Sequence, residues 1–262
     1  MPDCTAYYEP FNERKWFDPQ HRGNHVDDTH RGVSDYWREY EGLQAVDELY
    51  RESWISESLY MDVRSHDPSM RSYLQKLIDS AEGTAVLQFN RVDFRLGWLR
   101  RHFPNVPIIH LYRHPREQWL SFLKDKKLMN AQSVERSYRD AFYLDVWCRD
   151  LARVFPFLSI EETPHTYRRF YYLWKLSWLF GQRYASASLS FEDLITAPME
   201  TLQAVLADIG WTSPVDPRVL TAEISAPELR RWPTYADDSW FREHEEMCES
   251  VLQGWLPREE LP

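Results

Sequence analysis

Ile108-Ile109-His110-Leu111-Tyr112-Arg113-His114-Pro115-Arg116-Glu117-Gln118-Trp119-Leu120-Ser121 carries the main structural signal of the chain. Its apolar start suits a buried strand, which ends at an arginine. Pro115 then opens a helix, because proline presets the first helical φ and gives up an N–H that would be unpaired there. Strand end, turn and helix start together form the place where an open α/β sheet binds anions, since free N–H groups and the positive end of the helix dipole meet there. Arg113 can fork onto a phosphate. Ser121, about two turns into the helix, can reach the same group with its hydroxyl.

Outward from this stretch, strand and helix signals alternate. Residues 5–11 read as a short strand broken by Pro10, residues 12–35 as a long polar loop, and 36–53 as a helix. Asp67 caps a helix that Pro68 opens and Gly83 closes, with Met70, Tyr73, Leu74, Leu77, Ile78 and Ala81 on one face. A strand over 84–89, a helix over 93–102 and a strand over 107–112 follow. Further helices are expected from Ser133 to about Phe155 and from Pro164 to about Gly181. A strand over 186–190, a helix stopped by Gly210 and a last helix over 239–253 complete the pattern. Strand–helix–strand alternation predicts an α/β fold with a parallel sheet flanked by helices and a helix-rich second half. At 262 residues with no dividing linker, a single domain is expected.

The turn from Arg113 to Ser121 resembles the 3′-phosphate-binding motif of the sulfotransferases, R-x-P-x-x-x-x-x-S. Leu189-Ser190-Phe191-Glu192-Asp193-Leu194, followed by Pro198 and Ile209-Gly210, resembles the segment that family carries after its last core strand. The resemblance implies a P-loop-NTPase-like fold. It also implies transfer of a sulfuryl group from 3′-phosphoadenosine 5′-phosphosulfate to a hydroxyl of a carbohydrate or small metabolite. It assigns Arg113 and Ser121 to the 3′-phosphate and Phe191 to the adenine; His114, by its own place in the turn, can assist phosphate binding.

One family motif is missing. The 5′-phosphosulfate loop needs closely spaced glycines so that backbone can approach the anion. This chain has eight glycines, and the nearest two, Gly23 and Gly32, are nine residues apart. The first strand and its loop are therefore expected to be absent from residues 1–262, through truncation or in a loop-less relative. An unfilled place should then lie beside strands 84–89, 107–112 and 186–190, with Arg113, Ser121 and Asn90 around an open pocket. The alternatives to an enzyme are a non-catalytic nucleotide-binding relative and, more remotely, a nucleotide kinase, which the lack of G-K-[ST] disfavours.

Sulfuryl transfer needs a base for the acceptor hydroxyl and positive charge for the transferring group. Where cytosolic relatives place K-x-H, this chain has Gln88 and Asn90. Asn90 can hydrogen-bond but cannot take a proton. Carbohydrate-type relatives use a carboxylate where Glu9 stands, so Glu9 is the candidate base; the alternative is a strand-end residue binding backbone N–H groups. Arg91 can neutralise sulfate oxygens or pair with Glu9 or Asp93. Arg100, Arg101 and Arg116 are expected near Arg113. Arg230-Arg231 stands where cytosolic relatives supplement the 3′-phosphate site with a basic C-terminal loop, but without the glycines of that loop it reads as a solvated pair.

Other readings are excluded more simply. No metal is expected, because the spacing of His21, His25, His30, Asp27 and Asp28 fits no common zinc pattern. His110 reads as a core histidine, and Trp147, Trp174 and Trp178 as core. A net charge of −10 argues against a nucleic-acid partner. Three scattered cysteines, no run of eighteen apolar residues and no leader point to a reduced, cytoplasmic protein.

Overall fold

The structure is a computed structural model, and it describes residues 4–11, 36–43, 46, 48–90, 92–123, 130–140, 142–212 and 229–255. The polar stretch 12–35 and Arg91 lie outside the described residues. Two compact units are present, divided after Pro104.

In the first unit, β1 (Cys4–Tyr8) runs parallel to β2 (Thr84–Gln88), with Tyr7 beside Leu87 and Ala6 beside Val86. The connection contains α1 (Pro68–Ser80), capped as its sequence predicts, with Asp67 accepting from the Met70 N–H at 2.8 Å. Alternation decides which sheet face is covered. Tyr7 and Leu87 join an aromatic core with Phe11, Trp54, Tyr73 and Trp98, and Tyr73 donates to the Pro10 carbonyl at 2.7 Å. On the other face Val86 stays 44% exposed. After β2 a single 3-10 turn leads into α2 (Leu96–His102). Among the described residues of 36–53 the expected helix is not seen. Its described parts are short 3-10 turns at Tyr36–Tyr40 and Glu52–Ile55. Gly42 with φ +85 closes the first, and buried Arg95 braces the second, donating to the carbonyls of Trp54, Glu57 and Ser58.

In the second unit, β3 (Ile109–Tyr112) runs into α3 (Pro115–Phe122), as the opening motif requires. The single helix expected from Ser133 to Phe155 is instead two, α4 (Ala131–Ser137) and α5 (Leu144–Leu151). Tyr143 at φ 69 turns the chain between them, and the Asp140 carboxylate accepts from the Leu144 and Asp145 N–H groups. Then follow α6 (Thr166–Tyr184), β4 (Ala187–Ser190), α7 (Phe191–Thr196), α8 (Pro198–Asp208) and α9 (Asp238–Trp255). Gly181 does not end α6. It lies inside the helix, where a Cβ would fall on the His110 ring, so glycine is what allows the helix to press onto β3.

β3 pairs with β4 in parallel, Ile109 beside Ala187 and Leu111 beside Leu189. Ala187 and Leu189 are covered by Val205 of α8, with Leu194 and Ile209. Their neighbours on the same face, Ile109 and Leu111, are 44% and 53% exposed. The three expected strands are all present and all pair in parallel, in two two-stranded sheets. Among the described residues β2 pairs only with β1, and β3 only with β4. Trp147, Trp174 and Trp178, expected in the core, are each only partly buried. Among the described residues no helix is long and apolar enough to cross a membrane.

Candidate functional site

Arg113 is positioned by Trp174, Phe191 and Ser121, all in the second unit. Its own carbonyl accepts from the Trp174 indole at 2.9 Å, which pins the backbone where β3 ends. Its guanidinium lies 4.8 Å over the Phe191 ring. Nη1 donates to Ser121 Oγ at 2.8 Å, so the Arg–Ser pair of the motif is joined directly. Ser121 in turn donates back to the Glu117 carbonyl one helical turn earlier. Nε and Nη2 of Arg113 are buried and have no hydrogen-bond partner. Burial pushes this guanidinium below its ordinary value; Glu117 and Glu192 oppose that, and Arg231 adds to it.

The protein's own carboxylates occupy part of the anion position that the turn offers. Glu192, at the start of α7, accepts from the His114 backbone N–H with both oxygens, at 3.1 and 3.3 Å. It lies 4.0 Å from Arg113 Nε. Glu117 Oε2 is 3.7 Å from Arg113 Nη2 and 3.5 Å from Arg231 Nε, while Oε1 accepts from the Trp232 N–H at 3.0 Å. The His114 imidazole is shifted down by burial, with Arg116 next in effect, and the contact His114 makes to Glu192 is through its backbone N–H.

The arginines of this region do different work. Arg231 is not a solvated surface residue but stands against Glu117, whereas Arg230 is exposed. Arg116 turns away from Arg113. It forks onto Glu245 (2.8 and 2.7 Å), bonds Asp238 (2.7 Å) and lies over the rings of Trp232 and Phe241. Arg116 is structural. Trp174 and Glu117 had no signal in the sequence that marked them for this site, and Arg231 only its place in a C-terminal basic pair. Only the Ser190-x-x-Asp193 cap of α7, in which Ser190 Oγ accepts from Asp193 N–H, places Phe191 and Glu192 beside the turn.

In the first unit Glu9 is 3% exposed and sits at φ 46 just past β1. Its Oε2 accepts from the Asn90 N–H at 2.8 Å, and its own N–H donates to the Gln88 carbonyl. Asn90 uses its side chain toward the Tyr8 hydroxyl and Gln88. Glu9 and Asn90 are therefore neighbours, tied across the ends of the two strands.

His110 is a core histidine, 7% exposed and pushed down to about 4 by burial. Glu135, His165 and His244 have ligand atoms within 4.8 Å of one another. The acceptor nitrogen of each ring is already used, however. Arg168 Nε donates to His244 Nδ1 at 2.9 Å, the Arg168 N–H to His165 Nδ1, and His165 Nε2 meets Glu135. With a guanidinium bound to one ring, this group fits a polar tie between α4, α6 and α9 better than a cation site.

A parallel strand that ends in an Arg–Ser pair and runs into a proline-opened helix, with a capped helix after β4, describes an α/β protein with small parallel sheets flanked by helices. A family model described as the sulfotransferase family matches residues 2–215, and the chain belongs to that family. No curated protein and no solved structure shows a significant match to it.

Proposed function

We propose that this chain binds 3′-phosphoadenosine 5′-phosphosulfate through its 3′-phosphate at Arg113 and Ser121, and that it, or a longer form of it that carries the phosphosulfate loop, transfers the sulfuryl group to a hydroxyl of a carbohydrate or small metabolite. The observation that carries this reading is the half-used guanidinium. Arg113 is bonded to Ser121 on one side and keeps two buried donors, Nε and Nη2, that a phosphate can satisfy. Arg231 adds a second cation beside it. Phe191 supports the Arg113 plane, and adenine stacking on Phe191 would have to share that ring.

In the transfer step the acceptor oxygen bonds to sulfur as the bond from sulfur to the 5′-phosphate oxygen breaks. The acceptor proton goes to a base, and 3′-phosphoadenosine 5′-phosphate leaves. Glu9 is the proposed base, supported by its place at the end of β1 next to Asn90. Arg91 is proposed to offset charge on the transferring group. No metal has a role in this scheme, and the compartment proposed is the cytoplasm. The second reading is a nucleotide-binding relative without transfer activity. It is favoured by Asn90 standing where a basic residue would help transfer.

Calorimetry with 3′-phosphoadenosine 5′-phosphate tests the site. Arg113→Ala should weaken binding by about 2–4 kcal/mol, because charge-assisted contacts to a partly buried phosphate are lost. Ser121→Ala should cost roughly 1 kcal/mol. Equal affinity for wild type and Arg113→Ala would remove the assignment. Normal binding without any transfer to a panel of hydroxyl acceptors would favour the second reading.

A further inference from the structure

Glu117 is hard to explain as fold alone. Its side chain is 3% exposed, and a buried carboxylate normally collects hydrogen bonds on both oxygens. Oε1 has one, from the Trp232 N–H. Oε2 has none, yet it lies between Arg113 Nη2 at 3.7 Å and Arg231 Nε at 3.5 Å. Arg113 Nε, Arg113 Nη2 and Arg231 Nε are likewise buried without hydrogen-bond partners. Two guanidiniums and one carboxylate thus face each other at charge-contact distance without closing into a hydrogen-bonded fork. A structural ion pair in the same unit looks different, since Arg116 closes on Glu245 at 2.8 and 2.7 Å.

We propose that Glu117 is a resident counter-ion of the phosphate cradle, a positioning residue that holds Arg113 and Arg231 together and that an incoming 3′-phosphate must outcompete. The inference rests on the proposed donor site. Two like charges in a poorly solvated place repel, and Glu117 offsets that repulsion while the cradle is empty. Once a dianionic phosphate takes the free donors, the same carboxylate opposes it. Together with Glu192 it balances the charges of Arg113 and Arg231. Binding is thereby weakened and release of the phosphorylated product made easier.

The test is binding of 3′-phosphoadenosine 5′-phosphate and of adenosine 5′-monophosphate to the whole chain. Glu117→Gln keeps an oxygen for the Trp232 N–H and removes the charge. It should bind the 3′-phosphorylated ligand on the order of tenfold tighter. Affinity for the ligand lacking the 3′-phosphate should not change, which a merely structural role would not produce. Equal or weaker binding by a folded Glu117→Gln overturns the inference. If that variant does not fold, salt titration of the wild type decides instead. A charge-balanced cradle gives a shallow dependence of affinity on ionic strength, and a steep one would overturn the proposal. Arg113→Ala is measured alongside. No loss of affinity there would sink the donor site itself, whereas a loss there without a gain in Glu117→Gln would sink only the counter-ion role.

Discussion

Replacing Arg116 with alanine should destabilise the protein far more than its place in a surface-type turn suggests. The side chain of Arg116 is 10% exposed and that of Glu245 is 16% exposed, so their forked pair is largely removed from water. Deleting one partner of a buried pair leaves the other charge unpaired, at a cost of about 3–5 kcal/mol. Asp238 is 52% exposed, so solvent screens its pair with Arg116 and it adds little. Glu245 keeps the Tyr167 hydroxyl at 2.8 Å, which softens the loss. The rings of Trp232 and Phe241, 4.7 and 4.9 Å from the guanidinium, lose their packing partner. These effects sum to about 3 kcal/mol, which lowers Tm by roughly 6–12 °C for a chain of this size. Thermal unfolding followed by circular dichroism, with urea midpoints as a second measure, reads the shift. Arg116→Lys should recover only part of it, because an ammonium cannot fork onto a carboxylate. A fall in Tm under about 2 °C for Arg116→Ala would refute the reasoning, since a fully screened pair behaves that way.

In a form that carries the phosphosulfate loop, Glu9→Gln should leave nucleotide affinity near normal while lowering turnover by about 10²–10⁴-fold, as loss of a general base does; unchanged turnover would assign the proton elsewhere. Gly181→Ala should cost about 1–3 kcal/mol in urea unfolding, because the new methyl falls on His110; a neutral result would mean that α6 moves freely over β3. Stability should also depend on acid. Burial lowers His110 and His244 from an ordinary 6.5 to about 4, with His165 and Arg168 next in effect on His244. The unfolded chain therefore binds more protons between those values. Stability is fully present above about pH 6.5 and is lost as pH falls toward 4. A Tm that stays level or rises across that window in a pH series would contradict the shifts.

Sequence alone determined the elements whose signals are local. Asp67 with Pro68, and Pro115 after an apolar run, fix helix starts, because a cap or a preset φ acts within one turn. The Arg113–Ser121 spacing put both side chains within reach of one point, and in the structure they bond each other at 2.8 Å. Weak local signals misled in two places. Apolar spacing over 36–53 and over 133–155 suited continuous helices, but 3-10 turns and a left-handed Tyr143 interrupt them. Propensity yields there to side-chain groups that satisfy the backbone, Arg95 in one case and Asp140 in the other. Only tertiary structure could separate Arg113, Arg116 and Arg231. All three are arginines in similar local surroundings, and their roles depend on partners from α7, α9 and the segment before it. Glu192, Glu245 and Trp232 are 75 or more residues from the turn that meets them. No periodicity reaches that far, because charge pairing across a fold depends on distances that chain spacing does not encode.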